Sequence, residues 1–207
     1  MSLTLIYPNF PFWRAEVSRL ALYLGEVDFE NRHFSREEFD AAKRDGTLPF
    51  GQVPILIVDG EIIAQTGAIA RYCGKLSGLY PEDALAAAKV DQLIDGCTDV
   101  TIQISPTMRI KDPEAKVAAR AAIAADVLPK WLGFLEALAP ATSGGFFVGE
   151  TLTIADLAIW RLIAWLTSGI LDGVPTSVAD ACPKLLAHAE RIGEMPRIRA
   201  WMESTYG

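Results

Sequence analysis

The segment from residue 49 to residue 66 constrains the fold more than any other stretch, because it places a proline directly before a buried strand. Ile55-Leu56-Ile57-Val58 is the aliphatic run of such a strand, and Pro54 precedes it. Since proline cannot donate to a sheet ladder, Pro54 is expected in a tight turn at the strand's edge. A cis bond there would turn the backbone N–H and C=O of Val53 outward, free to pair with an extended peptide. An ordinary loop proline is the alternative.

A hairpin and a helix follow this strand. Asp59-Gly60 before Glu61–Ala64 predicts a type I′ turn, in which both central residues have positive φ. The next segment, from Gln65, has apolar residues at helical spacing. Thr66 is therefore expected at a helix N-terminus, where free N–H groups and the helix dipole favour a bound carboxylate. A threonine that caps its own helix is the alternative, and the two roles are compatible.

Upstream residues predict alternating strands and helices. Leu3–Tyr7 and Phe29–Phe34 are predicted strands, and Arg14–Leu24 is a predicted helix. Ser35 to Glu38 has the spacing of a capping box before a second helix. The order β-α-β-α-β-β-α predicts a mixed sheet with helices on both faces, which is the plan of the thioredoxin-like fold.

Glycine and proline interrupt the pattern near Gly74–Asp83, and the sequence beyond is almost entirely helical. The predicted fold class is α/β plus all-α, with a thioredoxin-like domain over residues 1–76 and a helical bundle over residues 84–207. The predicted helices of the bundle are Ala84–Ile104, Glu114–Ala139, Thr153–Leu171 and Cys182–Tyr206. An N-capping pattern, Thr153 to Asp156, begins the third of these helices. A mutation in this pattern is expected to lower the stability of the fold before it lowers the activity.

Composition excludes several classes of protein. The 207 residues are 51% hydrophobic, and the net charge of −7 argues against a nucleic-acid partner. The longest apolar stretch, Leu157 to Leu171, is short and carries Arg161, so it predicts a buried helix and no membrane association. The chain shows no N-terminal secretion signal, which predicts a cytoplasmic protein.

The cysteines and histidines predict neither a disulfide framework nor a metal site. Cys73, Cys97 and Cys182 lack C-x-x-C spacing, so core packing is their expected role. His33 and His188 lie far apart without companion ligands, and neither is assigned to metal binding or catalysis.

The helix predicted over Ala84–Ile104 has an apolar face and an acidic face. The apolar face consists of Val90, Leu93, Ile94, Cys97, Thr101 and Ile104. Asp91, Asp95 and Asp99 lie at i, i+4 spacing, where like charges destabilise an isolated helix by about 0.2–0.5 kcal/mol per pair. A solvated acidic surface is the expected interpretation for Asp91.

These motifs resemble the glutathione S-transferases of the tyrosine type, which include the sigma, mu, pi and alpha classes. The resemblance covers nearly the whole chain, and the sigma class, which contains the glutathione-dependent prostaglandin D synthases, is the most similar. The motifs that carry it are Leu5-Ile-Tyr7, Arg14-Ala-Glu16, Leu48 to Pro54, Val58-Asp-Gly60, Gln65-Thr66, Ala68 to Tyr72, Val90-Asp91 with Asp95-Gly96 and Asp99, and Leu152 to Asp156.

The resemblance implies an enzyme that activates the thiol of glutathione, its co-substrate, and transfers glutathione to hydrophobic electrophiles in detoxification. It places Tyr7 as the hydrogen-bond donor to the sulfur, with Arg14 nearby to stabilise the thiolate. Lowering the thiol pKa from about 8.5 to about 6.5 requires about 2.7 kcal/mol, and one hydrogen bond to a charged group contributes about 1.5–3 kcal/mol. One hydroxyl is therefore nearly enough. A tyrosine that only packs is the alternative.

The resemblance also assigns contacts to the rest of the tripeptide. Val53 pairs with the cysteinyl backbone, and Pro54 fixes that geometry. Gln65 and Thr66 hold the γ-glutamyl carboxylate.

At the glycyl end, Lys43 and Gln52 are the implied contacts, although a solvated lysine is the alternative. Asp99 is implied to reach across a homodimer interface to the γ-glutamyl ammonium group. Sigma relatives can bind a divalent ion between such aspartates, but no metal is expected here.

The chain departs from the family's pattern at three places. The segment from Tyr7 to Arg14 is one residue longer than usual, so either the loop bulges or Arg14 is shifted and has no catalytic role. Phe39 stands where sigma relatives have a tryptophan that hydrogen-bonds the glycyl carboxylate, a bond that phenylalanine cannot make. Thr66 replaces the commoner serine and keeps the hydroxyl.

The electrophile pocket is expected between the Phe10–Trp13 loop, the Gln103–Met108 end of the long helix and the C-terminal Trp201–Tyr206. Its expected wall is apolar and consists of Phe10, Phe12, Trp13, Ile104 and Met108. Two alternatives to conjugation stay open: a glutathione-dependent isomerase, and a non-catalytic binding or structural relative.

Overall fold

The computed structural model describes residues 1–142 and 144–207. Its strands are β1 (Leu3–Ile6), β2 (Glu30–Arg32), β3 (Ile55–Val58) and β4 (Glu61–Ala64). Its helices are α1 (Trp13–Leu24), α2 (Arg36–Arg44), α3 (Thr66–Ser77), α4 (Ala84–Ile104), α5 (Pro113–Ala122), α6 (Leu128–Leu138), α7 (Ile154–Leu166), α8 (Pro183–Gly193) and α9 (Pro196–Tyr206). A 3-10 turn, Ser105–Arg109, follows α4, and a π-helical segment, Ile123–Val127, joins α5 to α6.

The strands form one four-stranded mixed sheet in the order β2-β1-β3-β4. Strand β1 runs parallel to β2 and antiparallel to β3, and β3 forms a hairpin with β4. At the hairpin turn Asp59 has φ 49° and Gly60 has φ 94°, the positive values that a type I′ turn requires. The predicted hairpin and the thioredoxin-like sheet, followed by the helical half of the chain, are confirmed.

The register of the sheet brings three separate segments to one edge. Ile6 pairs with Ile55, and Ile55 pairs with Ala64 on its other side. The residues one position beyond this row, which are Tyr7, Pro54 and Gln65, therefore leave the sheet together. This shared edge positions the candidate site.

Helix α1 joins the sheet to the helical half of the chain. It packs on α3 and α7, and its Trp13, Val17 and Leu20 have no exposed surface within one large core. A smaller cluster that includes Ile6 and Ile55 lies under α2. We propose residues 1–76 and 84–207 as the two units, with the boundary in the link between α3 and α4.

Helix boundaries differ from the sequence prediction where polar residues or proline intervene. The helix predicted over Thr153–Leu171 ends at Leu166, because the hydroxyls of Thr167 and Ser168 donate to the carbonyls of Ile163 and Trp165. Gly169 then takes φ 79°.

The helix predicted over Cys182–Tyr206 is two helices. Met195 is extended before Pro196, since the residue before a proline is disfavoured in helical geometry. The predicted helix Glu114–Ala139 consists of α5, the π-helical segment and α6, and it ends at Leu138.

Two of the three aspartates on the acidic face of α4 are paired with one arginine, so the solvated surface expected at Asp91 is wrong. Arg71 of α3 donates from Nε to Asp91 at 2.7 Å and from Nη2 to Asp95 at 2.9 Å. The Tyr80 hydroxyl also donates to Asp91, at 2.9 Å. A Cβ atom at Gly67 would lie 2.9 Å from Nη1 of Arg71, so this glycine leaves the guanidinium its space. These contacts tie α3 to α4 and offset the like-charge repulsion.

The predicted core role of the cysteines is confirmed. Cys73, Cys97 and Cys182 are buried and unpaired. Burial raises the pKa of the Cys73 thiol to about 12, so at neutral pH it stays an unreactive thiol. No helix within residues 1–142 or 144–207 is both long and apolar enough to cross a membrane.

The predicted capping pattern at the start of α7 is present and extends further than expected. Asp156 is fully buried, and its carboxylate accepts hydrogen bonds from the Thr153 N–H at 2.8 Å and hydroxyl at 2.9 Å. It also accepts from the Phe147 N–H and pairs with His188 Nε2, both at 2.9 Å. One carboxylate therefore joins the start of α7 to the preceding loop and to α8.

Replacing Asp156 by alanine leaves several buried donors without an acceptor. We expect Asp156→Ala to lower the free energy of unfolding by about 3 kcal/mol or more, while folded molecules keep their affinity for glutathione. Urea denaturation and glutathione titration measure the two quantities. Asp126→Ala, which removes an exposed pair with Lys130, is the control and should cost less than about 0.5 kcal/mol. Equal losses in the two variants would contradict this assignment.

Candidate functional site

A cavity of about 380 Å³ opens beside Tyr7, where β1 ends. Phe10 and Phe12 of the following loop and Met108 of the 3-10 turn lie in its wall, where the sequence analysis expected them. Residues of α5, of α7 and of the segment that follows α7 complete the wall: Lys116, Arg120, Trp165, Ile170, Leu171 and Asp172. These residues were not predicted from the sequence, because they come from elements that are distant in sequence from Tyr7.

The other two residues expected in the pocket wall belong to the core. Trp13 and Ile104 have no exposed surface, and Trp13 donates from Nε1 to the Thr101 hydroxyl at 2.8 Å. Trp13 is the first residue of α1 and turns toward α4, while Ile104 lies on the apolar face of α4. The expectation that both residues line the pocket is therefore wrong.

Tyr7 is fixed through its backbone. Its N–H donates to the Arg32 carbonyl at 3.2 Å, and its carbonyl lies 2.7 Å from His33 Nδ1. Burial raises the pKa of the Tyr7 phenol above its ordinary value near 10, against an opposing effect of Arg14 and Arg19. At neutral pH the phenol is therefore protonated and can donate a hydrogen bond.

The loop between Tyr7 and Arg14 bulges, which is one of the two alternatives that the sequence left open. The Phe10 N–H donates to the Pro8 carbonyl and the Phe12 N–H to the Phe10 carbonyl, each at 2.8 Å. These i to i+2 bonds are γ-turns, which take up the additional residue. The Arg14 guanidinium lies 5.9 Å from the centre of the Phe12 ring. A direct action of Arg14 on a thiolate stays a prediction.

Arg19, which was not predicted as a site residue from the sequence, organises this loop. Its buried guanidinium donates to the carbonyls of Tyr7 (3.3 Å), Pro8 (3.1 Å) and Phe10 (3.3 Å). It also donates from Nε to Asn31 at 2.9 Å. The sequence did contain a signal that could have identified Arg19. An arginine on the apolar face of a helix is buried and needs a charged partner, and Glu16 lies three residues before it.

Glu16 supplies that partner and connects the loop to the C-terminal helix. Its carboxylate is fully buried and lies 3.2 Å from Arg19 Nη1. Trp201 Nε1 and the Tyr206 hydroxyl of α9 also donate to Glu16. Burial and the Glu16 carboxylate raise the pKa of the Tyr206 phenol, which keeps this donor protonated. Trp201 and Tyr206 were expected beside the pocket. They contact Glu16 instead, which pairs with Arg19, and they do not line the cavity.

The neighbouring part of the edge offers unpaired backbone. The Val53–Pro54 bond is cis, as predicted, and Pro54 is buried. Within the described residues neither the N–H nor the C=O of Val53 takes part in a backbone hydrogen bond. Val53 is therefore free to pair with an extended peptide.

The N-terminus of α3 completes this edge. Gln65 takes φ 75° and ψ 122°, a strained conformation for a residue with a side chain, and no side chain caps the helix. Thr66 is the first helical residue, so it does not cap α3. The free N–H groups and the helix dipole make the electrostatic potential at this end positive.

The remaining residues assigned to glutathione lie around this edge or on α4. Lys43 runs beside Gly51, since its Cε would lie 3.4 Å from a Cβ atom built there, next to the exposed Gln52. Phe39 packs against the small core cluster. Asp99 is exposed on α4 and forms no ion pair within the described residues. In that part of the chain no three His, Cys, Asp or Glu side chains are grouped to hold a metal.

Together, the fold and the edge define a thioredoxin-like protein in which unpaired backbone at Val53, an uncapped helix N-terminus and a tyrosine at the mouth of a cavity lie at one edge of the sheet. The sequence profile described as "Glutathione S-transferase, N-terminal domain" matches residues 2–75, and the profile described as "Glutathione S-transferase, C-terminal domain" matches residues 98–205. The chain belongs to the glutathione S-transferase family.

Individual relatives are similar to this chain over almost its whole length. The chain is 33% identical to probable glutathione S-transferase 7 of Caenorhabditis elegans, covering 91% of this chain and 90% of the relative. It is 33% identical to the hematopoietic prostaglandin D synthase of Gallus gallus, covering 92% and 90%. A monomeric glutathione S-transferase of Necator americanus has a similar structure, with a TM-score of 0.79 and 27% identity over 99% of this chain and 97% of that chain.

Lysine at position 19 keeps the charge but cannot reproduce the planar fork of arginine. We expect Arg19→Lys to lower the free energy of unfolding by about 2 kcal/mol and to speed amide hydrogen exchange in residues 9–12, because several acceptors lose their donors. Arg14→Lys, on the same helix, is the control and should leave both unchanged. Unaltered exchange in residues 9–12 of Arg19→Lys would show that the loop holds its shape without this guanidinium.

Proposed function

We propose that this protein conjugates glutathione to hydrophobic electrophiles, with the Tyr7 phenol stabilising the glutathione thiolate. The observation that carries the proposal is the shared edge of the sheet. There Tyr7 leaves β1 next to the Val53–Pro54 turn and the uncapped start of α3. A thiol-containing tripeptide that pairs with Val53 would bring its central residue close to Tyr7.

Each end of glutathione has a matching group. The γ-glutamyl carboxylate would accept hydrogen bonds from the N-terminus of α3, with the Gln65 and Thr66 side chains beside it. The glycyl carboxylate would lie near Lys43 and Gln52. Val53 would pair with the cysteinyl backbone, which places the sulfur at the mouth of the cavity.

The reaction requires only that the sulfur be held as a thiolate. The Tyr7 hydroxyl donates a hydrogen bond to the thiolate, and the proton of the thiol leaves to solvent. Because burial raises the pKa of the Tyr7 phenol, Tyr7 is a donor and not a base at neutral pH. The thiolate then forms a carbon–sulfur bond to the electrophile, and the electrons move to the leaving group or acceptor atom.

Removing the Tyr7 hydroxyl should return the bound thiol toward its free pKa. We expect the kcat/KM of wild type with chlorodinitrobenzene to rise with pH through a pKa near 6.5, and that of Tyr7→Phe to rise near 8–8.5, with activity about 10–100-fold lower at pH 6.5. Tyr23→Phe is the control for loss of a phenol outside the site. Glutathione binding without thiolate absorbance or conjugation by wild type would favour a non-catalytic binding protein.

A second function, glutathione-dependent isomerisation, has support from the relative in Gallus gallus that is named a prostaglandin D synthase. The same thiolate would attack and then be returned unchanged. Measuring the glutathione thiol before and after turnover of a prostaglandin endoperoxide distinguishes the two reactions, because conjugation consumes the thiol and isomerisation does not.

We further propose a cytoplasmic homodimer in which Asp99 of one copy completes the cleft of the other. Support comes from the exposed, unpaired position of Asp99 on α4, while its neighbours Asp91 and Asp95 are paired with Arg71. The Necator americanus relative is described as monomeric, so the homodimer is tested separately from the proposed reaction.

Complementation between two impaired variants tests it directly. Asp99→Asn should raise the KM for glutathione, because a charge partner of its ammonium group is lost. If Asp99 acts across the interface, refolding equal amounts of Asp99→Asn and Tyr7→Phe together should restore intact sites to about a quarter of the total, by random pairing. Activity no greater than the sum of the separate variants would show that Asp99 serves its own subunit or none.

A further inference from the structure

The cavity beside Tyr7 contains a buried cation without a counter-ion. Arg120 of α5 is only 5% exposed, yet it lines the cavity and forms no ion pair with a carboxylate within residues 1–142 and 144–207. A buried charge is costly unless it is paired, and surface arginines avoid this cost by remaining in water. A ligand bound in the cavity can therefore supply the counter-ion that Arg120 lacks.

The Arg120 guanidinium is held in a fixed orientation. Its Nε donates to the Thr107 hydroxyl at 3.0 Å, and that hydroxyl in turn donates to the Ile104 carbonyl at 2.8 Å. Its Nη2 contacts the Met108 sulfur at 3.1 Å. Both partners are neutral, so they orient the cation without compensating its charge. Within the described residues Nη1 makes no hydrogen bond to protein and is not sealed from solvent.

A second cation lies on the same face of α5. Lys116 precedes Arg120 by one helical turn and also lines the cavity. Asp172 is the one acidic residue in the wall, and it is exposed and more than 4.0 Å from either cation. The remaining wall is apolar or aromatic. The cavity therefore combines an apolar body with a positive side.

We propose that the electrophile carries a carboxylate, which Arg120 and Lys116 bind while its apolar body contacts Phe10, Phe12 and Trp165. This inference rests on the proposed conjugation and narrows its substrate class to anionic aromatic or long-chain electrophiles. Arginine presents two parallel donors to a carboxylate, and Lys116 adds charge. The carboxylates of glutathione have their own contacts at the sheet edge, so the two anions do not compete.

A matched pair of electrophiles tests the proposal. The pair is 4-chloro-3,5-dinitrobenzoate and its methyl ester, assayed at saturating glutathione, with each rate divided by the uncatalysed rate. Wild type should prefer the acid, and Arg120→Gln should lower the ratio of acid to ester by about tenfold or more, the scale of one hydrogen bond between charged groups. Lys116→Gln should lower it less. Arg109→Gln, an exposed charge on the neighbouring turn, is the control and should leave it unchanged.

Binding to wild type provides a readout that depends neither on turnover nor on the stability of a variant. Calorimetry with wild type at saturating glutathione should show tighter binding of 1-naphthoate than of 1-naphthamide, and Arg120→Lys should keep most of this preference. Equal or reversed binding of the two probes overturns the proposal. So does an Arg120→Gln variant that only raises the KM for glutathione. Carboxylate-selective binding without conjugation would refute the proposed activity and leave this subsite standing, while conjugation without charge preference would do the reverse.

Discussion

A single buried guanidinium, that of Arg19, holds the loop on which the proposed chemistry depends. It binds three carbonyls between Tyr7 and Phe10, and Glu16 compensates its charge. Burying such a pair is costly, so the arrangement is favourable only where nearly every donor finds an acceptor in good geometry. The γ-turns that follow Tyr7 leave carbonyls facing inward, and these carbonyls are the acceptors that the arginine needs. Loop shape and ion pair therefore support each other.

Elements with local signals were predictable from the sequence. The Ser35–Glu38 capping box is present with both of its hydrogen bonds, and α4 spans the predicted residues from Ala84 to Ile104. The Asp59-Gly60 turn also follows from residues adjacent in sequence. Such features depend on contacts within one helical turn or one hairpin, so composition and spacing are sufficient to define them. The sheet then follows from the order of its elements.

The site was only partly predictable, because side-chain direction depends on partners far along the chain. The sequence placed Trp13 with Phe10 and Phe12 in the pocket wall, yet its position in α1 turns it toward Thr101 of α4. Arg120 enters the same wall from α5, where nothing in the local sequence distinguishes it from a solvated arginine. The resemblance to a family indicated the residues assigned to glutathione. The positive charge that Arg120 and Lys116 bring to the cavity wall was visible only in the three-dimensional structure.

The hydrogen bond between Tyr206 and Glu16 joins residues 190 positions apart. During synthesis the sheet emerges from the ribosome long before α9 exists, and domains generally begin to fold from the N-terminus as they appear. Until residues 201 and 206 arrive, the buried carboxylate of Glu16 lacks donors that it has in the finished fold. We therefore expect the loop after Tyr7 to reach its final form only when α9 has been synthesised, later than the strands that form the sheet.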